Sequence, residues 1–205
     1  MFFLSLFWTT ILGLGITYSL PQVKIFLPRS LFMRTSLRRE TAETTIEISL
    51  DLEWSGLSKA DTDIPLLDEI IRNLAKASRF DISVKARGDL PTGDHHTVED
   101  VAITLGSAIA ELTKEGIGSS TVPSGTCLAQ AVVRLGEPGY SDSFEFEADD
   151  LGGVQLENVT HFMRALAYNG NFTLHLKAVG GDDWQKVEAL TLALGRALGR
   201  AARDD

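Results

Sequence analysis

The chain has little cysteine, little histidine and little positive charge, and each shortage excludes a class of protein. Cys127 is the sole cysteine among 205 residues, so an internal disulfide is excluded and a reducing, cytoplasmic setting is expected. A buried, small apolar role is the simplest expectation for this side chain. Lysine and arginine number 19 against 28 aspartates and glutamates, which gives a net charge of −9. We therefore expect no nucleic-acid partner, because phosphate backbones bind concentrated basic surfaces.

Residues 1–23 carry no charge, and this apolar N-terminal run has three interpretations. It is long enough for a membrane anchor or a signal peptide. However, no basic region precedes it and no small-residue cleavage motif follows it. The third interpretation, which we favour, is that residues 1–32 are encoded from an upstream start that is not used, with Met33 as the first residue. A membrane partner is expected only if residues 1–32 are an expressed anchor.

Two segments of the chain resemble each other. Phe80–Gly88 and Phe172–Gly180 both alternate apolar and polar residues, and they share a phenylalanine, a Lys-Ala pair and a closing glycine. Such alternation predicts a half-buried strand in each copy. With 44% hydrophobic residues, the chain can bury a full core as one domain or as two fused halves.

A helix is predicted before and after each of these strands. The preceding helices cover Leu66–Ala77 and Val159–Tyr168, and the following helices begin at His95 and near Trp184. Each half is thus a strand, helix, strand, helix unit. Two such units indicate an α/β fold, an α+β sandwich with pseudo-twofold symmetry in which helices cover the sheets.

The duplication divides the chain into halves of residues 33–118 and 119–205. A twofold relation places equivalent residues of the two halves at equivalent sites. The segment His95–Glu99 aligns with Trp184–Glu188, so the second half keeps the glutamate and lacks both histidines.

The segment that begins at His95 has the spacing of a metal site. In a helix, Glu99 lies about one turn after His95 and His96, so imidazole and carboxylate groups share a face, and such donors suit Mn, Fe or Zn. The alternative is a solvated helix start without a ligand. Because four histidines do not make two ligand sets, we expect at most one site, in which His161 or Glu188 adds a donor, within one chain or across subunits.

Four motifs occur in order between residues 34 and 202. They are Arg39-Glu40-Thr41-Ala42-Glu43-Thr44, Ile64-Pro65-Leu66-Leu67-Asp68, Asp94-His95-His96-Thr97-Val98-Glu99-Asp100 and Glu157-Asn158-Val159-Thr160-His161-Phe162. Together they resemble imidazoleglycerol-phosphate dehydratase, and the Asp-His-His-Thr-Val-Glu-Asp segment is highly specific for that family. Members of the family typically begin a few residues before the first motif, which is why Met33 is favoured as the first residue.

The resemblance implies a cytoplasmic enzyme of histidine biosynthesis that converts imidazole glycerol phosphate into imidazole acetol phosphate with loss of water. It also implies a homo-oligomer, commonly a large assembly, with manganese bound between subunits. Cations on the ring nitrogens stabilise an imidazolate, which helps the ring to expel the hydroxyl group. The expected roles are catalytic for Glu43, Glu99 and Glu188, metal-binding for His95, His96, Glu99, His161 and Glu188, and substrate-binding for Glu43 and Asp94.

The sequence departs from the family pattern in the second ligand set and in the phosphate pocket. Glu69 replaces a usual ligand histidine, and Trp184 and Gln185 replace the second histidine pair. Gly116–Ser120 lacks the family's arginine, and Glu137 stands at an arginine turn, where it would repel a phosphate dianion.

Three functions therefore stay open. The first is the family's manganese-dependent hydro-lyase, working on imidazole glycerol phosphate with fewer ligands. The second is a non-catalytic homologue that acts as a structural or regulatory subunit, with or without an intact paralogue that completes a shared site. The third is a changed substrate, bound by the surviving His-His-x-x-Glu segment without a phosphate clamp.

Overall fold

The computed structural model describes residues 33–52, 55–88 and 93–203. The apolar extension predicted at residues 1–32 lies outside them, and so do the alternatives proposed for it. Within the described ranges, no helix is both long and apolar enough to cross a membrane.

The first half contains a four-stranded sheet and two helices. Its elements are β1 (Arg34–Glu40), β2 (Thr44–Asp51), β3 (Ser58–Asp61), α1 (Pro65–Ser78), β4 (Asp81–Gly88) and α2 (His95–Leu112). The strand order is β1-β2-β4-β3, and the edge strand β3 runs parallel to β4 while the other pairs are antiparallel.

The second half repeats this plan. Its elements are β5 (Gly116–Ser124), β6 (Cys127–Leu135), β7 (Gly139–Ser143), β8 (Asp150–Leu151), β9 (Val154–Gln155), α3 (Leu156–Asn169), β10 (Phe172–Val179) and α4 (Asp183–Ala201). The strand order β5-β6-β10-β7, with β7 parallel to β10, matches the first sheet. The predicted duplicated α/β fold is confirmed.

Two details differ from the prediction. Each half is larger than a strand, helix, strand, helix unit, because a hairpin precedes that unit in both halves and the short pair β8–β9 is inserted in the second unit. The boundary predicted after residue 118 falls inside β5, whereas the connection between the halves is residues 113–115. That connection is short and polar, so the composition does not distinguish it from the strand that follows.

The core lies between each sheet and the helices that cover it. In β2 the side chains of Ile46, Ile48 and Leu50 are buried and alternate with more exposed residues, as a strand with one covered face requires. Helix α2 packs on the first sheet and α4 on the second. The helices also pack in pairs, α1 with α4 and α2 with α3, which brings the start of α2 close to α3 and the start of α4 close to α1.

A glycine allows the close packing of α4. A Cβ atom added at Gly118 would lie 2.0 Å from the carbonyl oxygen of Ala197, so any larger residue would push β5 away from the helix. At its N-terminus α4 begins with a capping box, in which the Asp182 side chain accepts a hydrogen bond from the backbone amide of Gln185. The capping box fixes the start of α4, where the second-half residues that align with His95 and His96 lie.

Candidate metal centre and its altered counterpart

The start of α2 faces the hairpin between β1 and β2. His96 Nδ1 lies 2.9 Å from Glu43 Oε2, and about half of each side chain is exposed. One turn further along α2, Asp100 accepts hydrogen bonds from Arg39 Nε at 2.7 Å and from Thr44 Oγ1 at 2.5 Å. Because Arg39 and Thr44 flank the hairpin, these bonds hold Glu43 against the helix.

Helix α3 adds the third imidazole. The ring centroid of His95 lies 5.6 Å from that of His96 and 5.4 Å from that of His161. Carboxylates accompany two of these rings, with Glu99 Oε2 3.8 Å from His95 Nε2 and Glu157 Oε1 3.5 Å from His161 Nε2. The structure therefore brings together most of the predicted site, and we call His95, His96, His161, Glu43 and Glu99 the first centre.

The first centre is open. Its side chains are between one third and one half exposed. In the described part of a single chain, no three histidine, cysteine, aspartate or glutamate side chains form a group that could hold a metal ion by themselves. Imidazole nitrogens and carboxylate oxygens are donor types that bind divalent metals such as manganese, and the first centre brings both types together on one surface.

Asn158 belongs to the surroundings of this centre, although the sequence analysis assigned it no role. His95 Nδ1 lies 2.8 Å from Asn158 Oδ1, and Asn158 Nδ2 donates to Asp94 Oδ1 at 3.0 Å. The other oxygen of Asp94 is buried and has no hydrogen-bond partner among the described residues. The three-residue spacing from Asn158 to His161 places both on one face of α3, and this spacing was the available clue in the sequence.

The equivalent place in the second half holds neither an imidazole nor the paired glutamate. Gln185 aligns with His96, and Thr126, in the β5–β6 hairpin, occupies the position of Glu43. The side-chain oxygen Oε1 of Gln185 accepts hydrogen bonds from Thr126 Oγ1 at 3.2 Å and from the backbone amide of Thr126 at 3.4 Å. A neutral amide–hydroxyl pair therefore replaces the imidazole–carboxylate pair of the first half.

Two carboxylates beside this pair also have partners already. Glu188 accepts a short hydrogen bond from Ser124, and Glu69 forms an ion pair with Arg72 at 3.4 Å. Trp184, Glu69 and Glu188 line one small cleft. We call Glu69, Thr126, Trp184, Gln185 and Glu188 the second centre. Of the two extra donors suggested by the sequence, His161 joins His95 within one chain, whereas Glu188 lies in the second centre.

The start of α4 carries a buried ion pair instead of a histidine ligand. Lys186 Nζ lies 3.2 Å from Asp183 Oδ1, and Asp183 also accepts from the amides of Glu147 and Ala148 at 2.8–3.0 Å. Burial raises the pKa of the Asp183 carboxyl, but these amides and the Lys186 ammonium outweigh it, so the pKa lies below its usual range. Asp183 aligns with Asp94. In the second half, the aspartate at this position holds the loop that contains Glu147 and Ala148.

Comparison with known proteins places the whole fold in a single family. The family model described as imidazoleglycerol-phosphate dehydratase matches residues 62–198. The imidazoleglycerol-phosphate dehydratase of Desulforudis audaxviator is 40% identical over 180 residues, covering 84% of this chain and 92% of that protein. That of Methanocaldococcus jannaschii is 37% identical over 171 residues, covering 82% and 87%.

A solved structure agrees with these sequence relatives. The crystal structure of imidazoleglycerol-phosphate dehydratase from Staphylococcus aureus superposes with a TM-score of 0.74 at 28% identity, covering 83% of this chain and 98% of that one. The similarity therefore extends over both halves.

Proposed function

The chain belongs to the imidazoleglycerol-phosphate dehydratase family, and from that membership we propose that it removes water from imidazole glycerol phosphate with one cation centre, at the start of α2. The observation that supports this proposal is the convergence of His95, His96 and His161 with Glu43 and Glu99. Three imidazoles on one surface, with carboxylates beside them, are the combination of donor types that binds divalent metal ions.

The donors of the first centre fit manganese. Imidazole nitrogens from His95, His96 and His161, with the carboxylate of Glu99, would hold the ion. Because the centre is open, we infer that a second copy of the chain supplies further donors beside the substrate ring, so that the enzyme works as a homo-oligomer. We place this assembly in the cytoplasm, where the family's pathway supplies the substrate.

The reaction requires hydroxide to leave the carbon attached to the imidazole ring and a proton to leave the next carbon. When bound, the cation would stabilise the imidazolate form of the substrate ring. The Glu43 carboxylate accepts the carbon-bound proton, and His96, 2.9 Å away, holds it in position. Glu99 accepts the proton that the ring nitrogen loses when the imidazolate forms and passes it to the departing hydroxide, which leaves as water. The enol that remains becomes the ketone of the product when its hydroxyl proton is exchanged for one on the ring-attached carbon.

One observation favours a second function, that of a non-catalytic subunit. The Gln185–Thr126 pair gives the second centre no donor of the kind that the first centre has. The phosphate pocket expected from the sequence also lacks arginine at Gly116–Ser120. A chain with one cation centre and a weak phosphate clamp could serve an assembly by supplying structure or regulation alone.

Replacing Glu43 with glutamine separates the two functions. The variant keeps the shape of the side chain and removes the base, so kcat for dehydration should fall by roughly 10²–10⁴-fold, as measured by formation of imidazole acetol phosphate. The control is Glu40→Gln at the end of β1, where the carboxylate pairs with Arg38 on the surface. Full activity of Glu43→Gln would contradict its role, and a wild-type chain that binds Mn²⁺ without turnover would establish the non-catalytic subunit.

A further inference from the structure

We propose that Asn158 is a positioning residue that fixes the tautomer of His95, with the hydrogen on Nδ1 and the lone pair on Nε2. The lone pair is what a cation at the first centre would bind, so the consequence for metal affinity rests on the proposed function. The tautomer itself does not depend on any metal.

The orientation of the Asn158 amide follows from its neighbour on the far side. An ionised carboxylate only accepts hydrogen bonds, so the amide nitrogen of Asn158 faces Asp94 Oδ1, at 3.0 Å. The amide oxygen then faces His95 Nδ1, at 2.8 Å, and it too can only accept. His95 Nδ1 must therefore carry the hydrogen. A neutral imidazole has one such hydrogen, which leaves the Nε2 lone pair free on the side of Glu99.

The Asp94 side chain does not cap helix α2. It is the N-cap residue of α2, where an aspartate usually accepts from the first backbone amides, yet its side chain makes no such bond. One oxygen holds Asn158, and the other is buried with no hydrogen-bond partner among the residues described. A carboxylate that is hydrogen-bonded, here through Asn158, to a ligand imidazole orients the ring and raises its basicity. This effect offsets the loss of the capping hydrogen bond.

The second centre provides an internal comparison. Helix α1 is the counterpart of α3, and Glu69 aligns with His161. Leu66 therefore occupies the position of Asn158, and in α4 Trp184 occupies the position of His95. Leu66 and Trp184 line the same cleft. The asparagine therefore occurs only in the centre that has a histidine to orient, which is the pattern expected for a residue that acts through His95.

The test compares three variants of the full chain. Asn158→Leu installs the residue found at the equivalent position beside the second centre, Leu66, and removes both hydrogen bonds. The double variant Asp94→Asn with Asn158→Asp exchanges donor and acceptor between the two residues, and it keeps an acceptor opposite His95 Nδ1. Asn169→Leu makes the same substitution at the far end of α3, where the side chain bonds only the carbonyl of Ala165.

Two measurements are made on each variant. Solid-state NMR of metal-free protein labelled with ¹⁵N-histidine reports the tautomer, with the His95 resonances identified by their loss in His95→Gln. Titration with Mn²⁺ alone reports affinity. Wild type, the exchanged variant and Asn169→Leu should show hydrogen on Nδ1 of His95, whereas Asn158→Leu should show a mixture and bind Mn²⁺ roughly 10–100-fold more weakly.

Each result decides the matter. Hydrogen on Nε2 of His95 in the wild type, or an unchanged tautomer in Asn158→Leu, would overturn the proposal. If Asn158→Leu does not fold, the exchanged variant still tests it, because loss of the Nδ1-protonated tautomer there would contradict the assigned orientation. Failure of the wild type to bind Mn²⁺ would count against the proposed function, and the tautomer result would stand by itself.

Discussion

Replacing His96 with alanine is expected to lower the affinity of the chain for Mn²⁺ by more than about 100-fold, because loss of a ligand should exceed the effect of losing a residue that only orients one. The ring lies 2.9 Å from Glu43 and within the same group as His95 and His161. Its removal leaves two imidazoles in an open site. Electron paramagnetic resonance of free Mn²⁺ in a titration measures the change directly.

The duplicated fold provides a matched control for this variant. Gln185→Ala shortens the residue that aligns with His96, at the same turn of the equivalent helix, where the amide bonds Thr126. Its Mn²⁺ affinity should stay within about threefold of wild type, since no donor nitrogen is lost. Equal losses in the two variants would mean that both centres bind the ion, and no loss in either would mean that the first centre does not.

Rebuilding the second centre should raise the stoichiometry from about one to about two cations per chain. The sequence alone suggests Trp184→His with Gln185→His, which restores the missing pair. The structure shows why this pair is incomplete: Thr126 occupies the position of Glu43, and Glu69 that of His161. We therefore expect weak binding of a second ion by the double variant and full binding once Thr126→Glu and Glu69→His are added.

The control for rebuilding is Trp184→Ala with Gln185→Ala. It opens the cleft beside Glu69 and Glu188 and adds no nitrogen donor, so its stoichiometry should remain that of the wild type. Elemental analysis of each purified variant gives the number of ions per chain, and a thermal melt shows whether the variant is folded. A folded variant with all four substitutions that still holds a single ion would contradict the assignment of the second centre.

Strong local patterns made much of the fold predictable. The apolar periodicity of α2 and α4 and the alternation in β4 and β10 placed these elements within a few residues of their observed bounds. The edge strands β3 and β7 were harder, because Ser58–Asp61 and Gly139–Ser143 are short and largely polar, and each exists only through parallel pairing with a distant strand. Such long-range pairing leaves no periodic trace in a short segment.

The same distinction applies to the first centre. Helical spacing alone puts Glu99 on the face of α2 that carries His95 and His96. The closeness of Glu43 and His161 depends on how the β1–β2 hairpin and α3 pack against α2. The internal duplication suggested His161 as one of two further donors, whereas only the family resemblance pointed to Glu43. Asn158 was missed because its contacts with His95 and Asp94 join two helices that are far apart in sequence.

The most direct test of the account is the number of manganese ions held by the wild-type chain. Protein purified without a histidine tag, saturated with Mn²⁺ and freed of excess ion, is analysed for metal and protein together. One centre per chain predicts a ratio of about one ion per chain, lost in His96→Ala and kept in Gln185→Ala. A ratio of about two would show that the second centre also binds the ion, and a ratio near zero would show that neither centre does.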